Sequence, residues 1–275
     1  MKDFYDDVSF RISKLTTLAY STSFSLGIRV FSKRFHYPVY GIYGFVRLAD
    51  EIVDTFHDHD KAKLLEKFKT DTHQAIDDGV SLNPILNSFQ YVVNKYGIER
   101  ELIDTFLLSM KMDLNRKTYD KHGYERYILG SAQVVGLMCL RVFLEGDEKK
   151  YDKLKDHAMS LGSAFQKINF LRDLKADYKT LGRTYFPGID MENFNSIDRQ
   201  TIEEDIENDF KHGYEGIKEL PPAVRRGVYI AYVYFYSLFN KIRNTSTTVL
   251  LNKRIRIPNI KKYWLLLISW FKIKY

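Results

Sequence analysis

Two pairs of aspartates, each with four-residue spacing, are the side chains of this sequence best suited to chemistry. Asp50 and Asp54 form the first pair, and Asp173 and Asp177 form the second. On a helix, residues four apart lie on one face, about 6 Å apart along the axis. Hard divalent cations such as magnesium bind carboxylate oxygens and also take substrate phosphates as ligands. The spacing therefore predicts two acidic faces that together could bind magnesium around a diphosphate group.

Each pair extends a polar stripe on a helix whose other faces are apolar. Tyr43 and Arg47 precede Asp50 and Asp54 on the first stripe. The second stripe consists of Gln166, Asn169, Asp173 and Asp177. Buried charges are costly unless they are paired or bound to a metal. A single acidic pair is usually a solvated helix face, but two pairs of the same geometry favour a metal site.

The composition is that of a protein with one large, aromatic-rich core. The chain has 275 residues, of which 45% are hydrophobic and 15% aromatic, enough for one large domain or two small ones. Aromatic interiors suit an apolar substrate or a buried cation, because ring faces attract positive charge. The alternative for any single ring is an ordinary core position. One cysteine, Cys139, excludes an internal disulfide and a thiolate metal site.

The hydrophobic pattern is helical almost throughout, and we find no clear strand alternation. The clearest amphipathic helices are predicted at residues 39–57, 60–77, 99–115, 123–145, 147–178 and 222–243. Connections are mostly short, and no flexible linker or repeat divides the chain. The pattern predicts one all-α domain at residues 1–250, a helical bundle whose ligand site lies in a central cavity.

The positive charge of the chain is concentrated in a tail, residues 251–275. This tail contains seven basic and no acidic residues, which accounts for the whole net charge of +7. Its apolar run, Trp264 to Phe271, is bracketed by lysines and is too short to cross a bilayer, which takes about 20 residues. The composition predicts a segment at the membrane surface; the alternative is a last helix docked on the body. Nucleic-acid binding is not expected, because the excess of basic over acidic residues lies in the tail and the body has no net charge.

No signal peptide is recognisable at the N-terminus, which predicts a cytoplasmic protein. Together with the tail, this predicts peripheral association with the inner face of the membrane. The run His57–Asp60 resembles a transition-metal cluster, but it follows the first acidic helix, where Asp58 or Asp60 could cap the helix that starts near Lys61. We favour the capping interpretation.

Five motifs occur in the order typical of the squalene/phytoene synthase family, which this chain resembles over about residues 15–245. The most specific are Asp50–Asp54 and Asn169–Asp177, the latter followed by residues 182–187. The shorter motifs are Ser21–Phe24, Met112–Leu114 and Tyr127–Gly136. The sequence as a whole is most similar to bacterial members of the family from the carotenoid branch.

The resemblance implies an isoprenoid-synthase-type fold and a head-to-head condensation of two allylic diphosphates. The first expectation is that two geranylgeranyl diphosphates give 15-cis-phytoene and diphosphate through a cyclopropyl diphosphate, without NADPH. The alternative within the family is squalene or dehydrosqualene synthesis from farnesyl diphosphate. A non-catalytic assembly relative and a terpene cyclase are the alternatives of other classes; the intact aspartates argue against the first.

The resemblance also implies roles for individual residues. The implied ligands of magnesium, or of manganese, are Asp50, Asp54, Asn169, Asp173 and Asp177. The residues implied to bind diphosphate are Ser21, Ser23, Arg47, Gln166, Arg172, Arg183 and Tyr185. Tyr43 and Arg47 are expected to assist catalysis beside the aspartates. Tyr127 and Asp113 are expected in or beside the cavity, although Asp113 could instead be a surface acid and Arg183 and Tyr185 could simply pack in a loop.

The central motif departs from the family pattern at three positions. Leu129 replaces the usual second tyrosine, Gln133 replaces a glycine and Ile128 replaces a cysteine. Any role of that second tyrosine in the later half of the reaction is therefore in doubt. The implied metal ligands are unaffected.

Overall fold

The computed structural model describes residues 1–115, 118–179, 184–189 and 194–258. Within these ranges, the side chains of residues 22, 23, 115 and 175–179 are not described. The described part of the chain is helical and contains no strand, apart from an isolated bridge between Thr118 and Thr184. This confirms the predicted all-α, single-domain fold.

The helices follow one another with short connections. In chain order they are α1 (Lys2–Tyr20), α2 (Thr22–Val30), α3 (His36–Asp54), α4 (Lys61–Asp78), α5 (Pro84–Tyr96), α6 (Arg100–Asn115), α7 (Lys121–Ile128), α8 (Val134–Leu144), α9 (Glu148–Lys179), α10 (Ser196–Glu219), α11 (Pro222–Arg243) and α12 (Thr247–Leu250). A 3₁₀ turn, Lys33–Phe35, leads into α3, and a π-helical segment, Leu129–Gln133, joins α7 to α8. All six predicted helices are present, and their ends differ from the prediction by at most three residues.

Local capping chemistry fixes where several helices begin and end. The Asp60 side chain accepts a 3.0 Å hydrogen bond from the backbone of Lys63, so it caps α4 as predicted. Asn83 caps α5 through the backbone of Ile85, and Pro84 occupies the first turn. Gly79 ends α4 with a left-handed φ of 67°, a conformation that glycine adopts without steric cost.

Two apolar clusters form the core, and the two acidic stripes adjoin different clusters. The first cluster packs α3 against α5 and α6, with Phe45 stacked on Phe89 at 3.9 Å. The second cluster joins the C-terminal half of α9 to α10 and α11 through residues such as Ile168, Phe210 and Leu238, all fully buried. Each acidic stripe is therefore positioned by a different part of the core.

The α7–α8 stretch, Lys121–Leu144, passes through the middle of the protein. By length and composition alone it could cross a membrane, but 56% of its most apolar window is buried inside the protein. A buried core helix has the same composition, so this stretch is weak evidence for a membrane span. A side chain at Gly130 would come within 2.6 Å of Ser109 and of the Thr105 carbonyl, which explains the close approach of α6 to this stretch.

Candidate functional site

An apolar cavity of about 250 Å³ lies between α2, α3, α8, α9, α10 and α11. On α3 it is lined by Val39 and Val46, and on α9 by residues between Leu154 and Gln166. The polar side chains that line it, among the described residues, are Ser131, Cys139, His157 and Gln166. A cavity of this chemistry suits a hydrocarbon chain and disfavours water.

The acidic stripe of α3 continues directly from the cavity wall. Val39, Tyr43, Val46, Asp50 and Asp54 follow one another at steps of three or four residues, so they share one face of the helix. The N-terminal part of this face lines the cavity, and its C-terminal part carries the two carboxylates. Asp54, the last residue of α3, is exposed.

The Asp50 carboxyl group lies in a recess where neighbouring negative groups outnumber positive ones. Burial raises its pKa to about 7; Arg47 opposes this rise, whereas the carboxylates of Asp54 and Asp113 add to it. A carboxylate beside two others is costly to ionise, and a bound cation would relieve that cost. Carboxylate oxygens are the donors that a hard divalent ion such as magnesium prefers.

Arg47 is fixed in place beside this recess. It is paired with Glu51, lies 3.9 Å from the Asp50 carboxylate and sits 4.2 Å above the ring of Tyr20. Its buried Nε atom finds no hydrogen-bond acceptor within the described structure. An N–H group that is held in position without an acceptor suits an anionic ligand, as predicted for a diphosphate-binding residue. The contacts of Tyr20 and Glu51 with Arg47 were not predicted from the sequence pattern.

Ser21, predicted to bind diphosphate, lies next to Tyr43. Its hydroxyl caps α2 by accepting a 3.3 Å hydrogen bond from the backbone of Phe24, and its side chain is hydrogen-bonded to Tyr43. The ring of Phe24 stacks on Tyr43 at 5.0 Å and also lines the cavity. Burial raises the pKa of Tyr43. The side chain of Ser23, also predicted to bind diphosphate, lies outside the described residues.

The second acidic stripe, on α9, also begins at the cavity wall and continues beyond it. Gln166 lines the cavity, and its Oε1 accepts a 3.4 Å hydrogen bond from Asn169. One turn further, the carboxylate of Asp173 lies between two guanidinium groups, with Arg172 at 2.5 Å and Arg254 at 2.6 Å. The side chain of Asp177 lies outside the described residues. Arg254 comes from the tail and was not anticipated.

Asp113 is a buried group and not a surface acid. Only 8% of it is exposed, and its two carboxylate oxygens accept hydrogen bonds from Tyr127 at 2.6 Å and from Tyr119 at 3.2 Å. Burial, with the neighbouring Asp113 carboxylate, raises the pKa of Tyr127 far above its ordinary value. Tyr127 and Asp113 were expected in or beside the cavity, and neither is among the residues that line it in the described structure. Asp113 lies close enough to Asp50 on α3 to contribute to the raised pKa of that residue. The contact of Tyr119 with Asp113 was not predicted.

Tyr185 lies in an aromatic cluster that adjoins Tyr127. Its ring stacks on Phe170 at 4.0 Å and lies 5.3 Å from the ring of Tyr127. Phe170 neighbours Asn169 on α9, so this cluster connects the second acidic helix to the Tyr127–Asp113 pair. Arg183 lies outside the described residues, and its predicted role stays a prediction.

Two of the three departures from the family pattern, Leu129 and Gln133, lie at the ends of the π-helical segment. Leu129 begins this segment and Gln133 ends it, and the Gln133 amide donates a 2.8 Å hydrogen bond to Ser163 on α9. Ser131 and Ala132, between them, line the cavity. Single-turn π-helices often mark functional sites because they re-aim side chains.

Among the described side chains, no group of three or more histidines, cysteines or acids is close enough to ligate one metal ion. The side chain of Asp177 lies outside the described residues, so the predicted set of five ligands stays a prediction. At the run after α3, His57 contacts Lys61 and Asp60 caps α4. The capping interpretation of this run therefore accounts for its geometry.

Known proteins resemble this chain over most of its length. Residues 17–261 match the squalene/phytoene synthase family. A phytoene synthase of Arthrospira platensis is 23% identical, over 92% of this chain and 90% of its own length. A 4,4'-diapophytoene synthase of Staphylococcus haemolyticus is 24% identical, over 68% of this chain and 65% of its own length.

The fold agrees with that of a solved structure. The crystal structure of a dehydrosqualene synthase in complex with ligand has a TM-score of 0.83 to this chain at 20% identity, and the match covers 97% of this chain and 96% of the other. At that identity the likeness shows the fold, which is of the isoprenoid-synthase type. The family match spans most of the sequence, and the chain therefore belongs to the squalene/phytoene synthase family of head-to-head prenyltransferases.

Proposed function

We propose that this protein is a phytoene synthase that joins two geranylgeranyl diphosphates head to head. The first C–O bond breaks, and the allylic cation alkylates the double bond of the second substrate, which gives a cyclopropyl diphosphate after loss of a proton. Loss of the second diphosphate, rearrangement and loss of another proton give 15-cis-phytoene. No oxidant or reductant is consumed, so NADPH is not required.

The observation that carries this proposal is the shared arrangement of α3 and α9. On both helices one face lines the apolar cavity and then continues, within one or two turns, into carboxylates. The charged groups of both helices would then form the acidic end of a compartment for hydrocarbon chains. The family membership and the phytoene synthase similarity over most of the chain support the same reaction.

The residues at the acidic end would bind the diphosphates and a divalent metal. The proposed metal ligands are Asp50, Asp54, Asn169, Asp173 and Asp177. The raised pKa of Asp50 supports this proposal, because a bound cation would offset the cost of ionising a buried carboxyl. Magnesium there would neutralise charge that develops on the leaving diphosphate oxygens. Arg47 and Arg172 are positioned beside these carboxylates to contact the same oxygens.

The cavity would align the two chains and exclude water from the cations. Water would quench an allylic cation, and the lining is almost wholly apolar in the described structure. The rings of Phe24 and Phe165 lie in the cavity wall, where their faces would attract the positive charge of the cation. Asp113 contributes to the raised pKa of Asp50 and accepts a hydrogen bond from Tyr127, so this pair would influence the first acidic stripe.

Product analysis tests this proposal. The purified protein is incubated with magnesium and either geranylgeranyl or farnesyl diphosphate, with and without NADPH, and the hydrocarbons are extracted and identified by mass spectrometry. Phytoene from the C20 substrate, independent of NADPH, is the expected result. A C30 product alone would move the assignment to the squalene or dehydrosqualene alternative, and cyclised products from one substrate would move it to a terpene cyclase.

A further inference from the structure

The first part of the tail, residues 251–258, is attached to the body; we call it the C-terminal strap. Ile255 and Ile257 are buried in the second apolar cluster, and Lys241 donates a 2.6 Å hydrogen bond to the carbonyl of Arg256. Arg254 and Arg256, which each precede one of these isoleucines, are exposed. Alternate side chains of an extended segment point to opposite sides. The isoleucines therefore anchor the strap without help from the arginines.

This anchoring places Arg254 on the Asp173 carboxylate. The Arg254 Nε atom lies 2.6 Å from Oδ1 of Asp173, and its Nη2 atom lies 3.2 Å from Oδ2. The Arg254 guanidinium group therefore contacts both oxygens of the Asp173 carboxylate. Arg172 contacts the same carboxylate from the preceding residue of α9, with its Nη2 atom 2.5 Å from Oδ2.

The two arginines differ in how readily they can move away from the Asp173 carboxylate. Arg172 belongs to the same helix as Asp173, and 21% of its side chain is exposed. Arg254 comes from a separate segment, and 48% of its side chain is exposed. Water can solvate the Arg254 guanidinium once it moves away, so its release costs little. Arg254 is thus the exchangeable cation of the pair.

We propose that Arg254 competes with the divalent metal for Asp173, so that the C-terminal strap sets the affinity of the acidic site for metal. This inference rests on the proposed function, in which Asp173 is a metal ligand. Each carboxylate oxygen engaged by the guanidinium is less available to a cation, and a positive charge at this distance repels the metal. Metal binding moves Arg254 off the carboxylate, and by linkage anything that lifts the strap from α9 strengthens metal binding.

The test is metal binding by the full-length chain, without substrate or turnover. Free Mn²⁺ is measured by electron paramagnetic resonance during titration of the wild-type protein, Arg254→Gln and Arg256→Gln. Arg256 is a matched control, because it lies in the same strap, is exposed and loses the same charge. We expect Arg254→Gln to bind Mn²⁺ about three- to fivefold more tightly than the wild type, as an exposed ion pair allows, and Arg256→Gln to change the affinity by less than about twofold.

Arg254→Lys tests whether the positive charge alone or the geometry of the guanidinium contact weakens metal binding. Asp173→Asn tests whether Asp173 is a metal ligand at all, as the proposed function requires. The lysine keeps the charge but not the two-pronged contact, so its Mn²⁺ affinity should lie between those of the wild type and Arg254→Gln. An unchanged or weakened affinity in Arg254→Gln would overturn the inference. If Asp173→Asn binds Mn²⁺ as the wild type does, or if the wild type binds none, the proposed ligand role of Asp173 fails as well.

Discussion

Tyr127 donates a 2.6 Å hydrogen bond to the carboxylate of Asp113, and so it joins α7 to α6 inside the protein. The same carboxylate contributes to the raised pKa of Asp50 on α3. One buried acid therefore connects the central motif to the first acidic stripe. Tyr124, one turn earlier on α7, has an equally buried hydroxyl that finds no hydrogen-bond partner in the described structure.

This contrast predicts opposite effects for two Tyr→Phe substitutions on one helix. Tyr127→Phe removes a hydrogen bond to a buried charged group, so the free energy of unfolding should fall by about 1–3 kcal/mol. Tyr124→Phe removes an unsatisfied buried hydroxyl, so the free energy of unfolding should stay constant or rise slightly. Urea denaturation of both variants measures the difference. Equal destabilisation by the two substitutions would contradict the hydrogen-bonding pattern.

The raised pKa of Asp50 predicts the pH dependence of the metal-free protein. Its pKa moves from 3.8 to about 7 on folding, so the folded state binds the proton more tightly than the unfolded state. The contribution of the protonated group is fully present below the unfolded pKa and is lost as the pH rises through the folded pKa. In EDTA, Asp50→Asn should therefore lose less free energy of unfolding than the wild type between about pH 5 and about pH 8.

Urea denaturation at both pH values checks this difference. Asp58→Asn, an exposed acid beyond the end of α3, is the control and should follow the wild-type pH dependence. Parallel curves for the wild type and Asp50→Asn would show that Asp50 ionises normally in the folded protein.

Cys139 provides a chemical probe of the cavity. It is the single cysteine of the chain and lines the cavity, and burial raises the pKa of its thiol to about 12. The thiolate is the reactive form, so alkylation by iodoacetamide at about pH 8 should be on the order of a hundredfold slower in the native protein than in urea. Mass spectrometry of the modified protein follows the rate. Comparable rates in both states would show that the thiol is open to solvent.

The predicted membrane role of the tail concerns residues mostly outside the described part of the chain. Deleting residues 258–275 should reduce cosedimentation with vesicles that contain anionic lipid, because the segment combines aromatic and basic side chains. The deletion keeps Ile255 and Ile257, which are buried, so the fold should persist. Undiminished vesicle binding by the folded, truncated protein would rule out the tail as the membrane contact.

Hydrophobic periodicity was sufficient to predict the helices that bury a continuous apolar stripe, such as α3 and α11. It missed α1, because that helix faces α5 with polar residues: Ser13 is hydrogen-bonded to Ser88, and Asn87 donates to Asp6. A buried polar seam has the composition of a solvated face, so only the tertiary structure reveals it. The π-helical segment was also missed, because one inserted residue leaves the surrounding pattern helical.

The candidate site was partly predictable for a related reason. Asp50, Arg47 and Gln166 could be singled out as candidates because regular spacing on one helix determines a shared face. Arg254 and Tyr119 were not found, since each meets its carboxylate through a loop or a distant segment whose path the sequence pattern does not specify. Contacts of that kind depend on the packing of the whole chain.

The most direct test of the account is the release of diphosphate from geranylgeranyl diphosphate in the presence of magnesium. The rate is measured for the wild type, Asp50→Asn, Asp173→Asn and the control Asp58→Asn, with circular dichroism to verify folding. We predict that both ligand variants release diphosphate at least about 100-fold more slowly, while Asp58→Asn matches the wild type. Wild-type rates in folded Asp50→Asn and Asp173→Asn would contradict a site in which these carboxylates bind the metal.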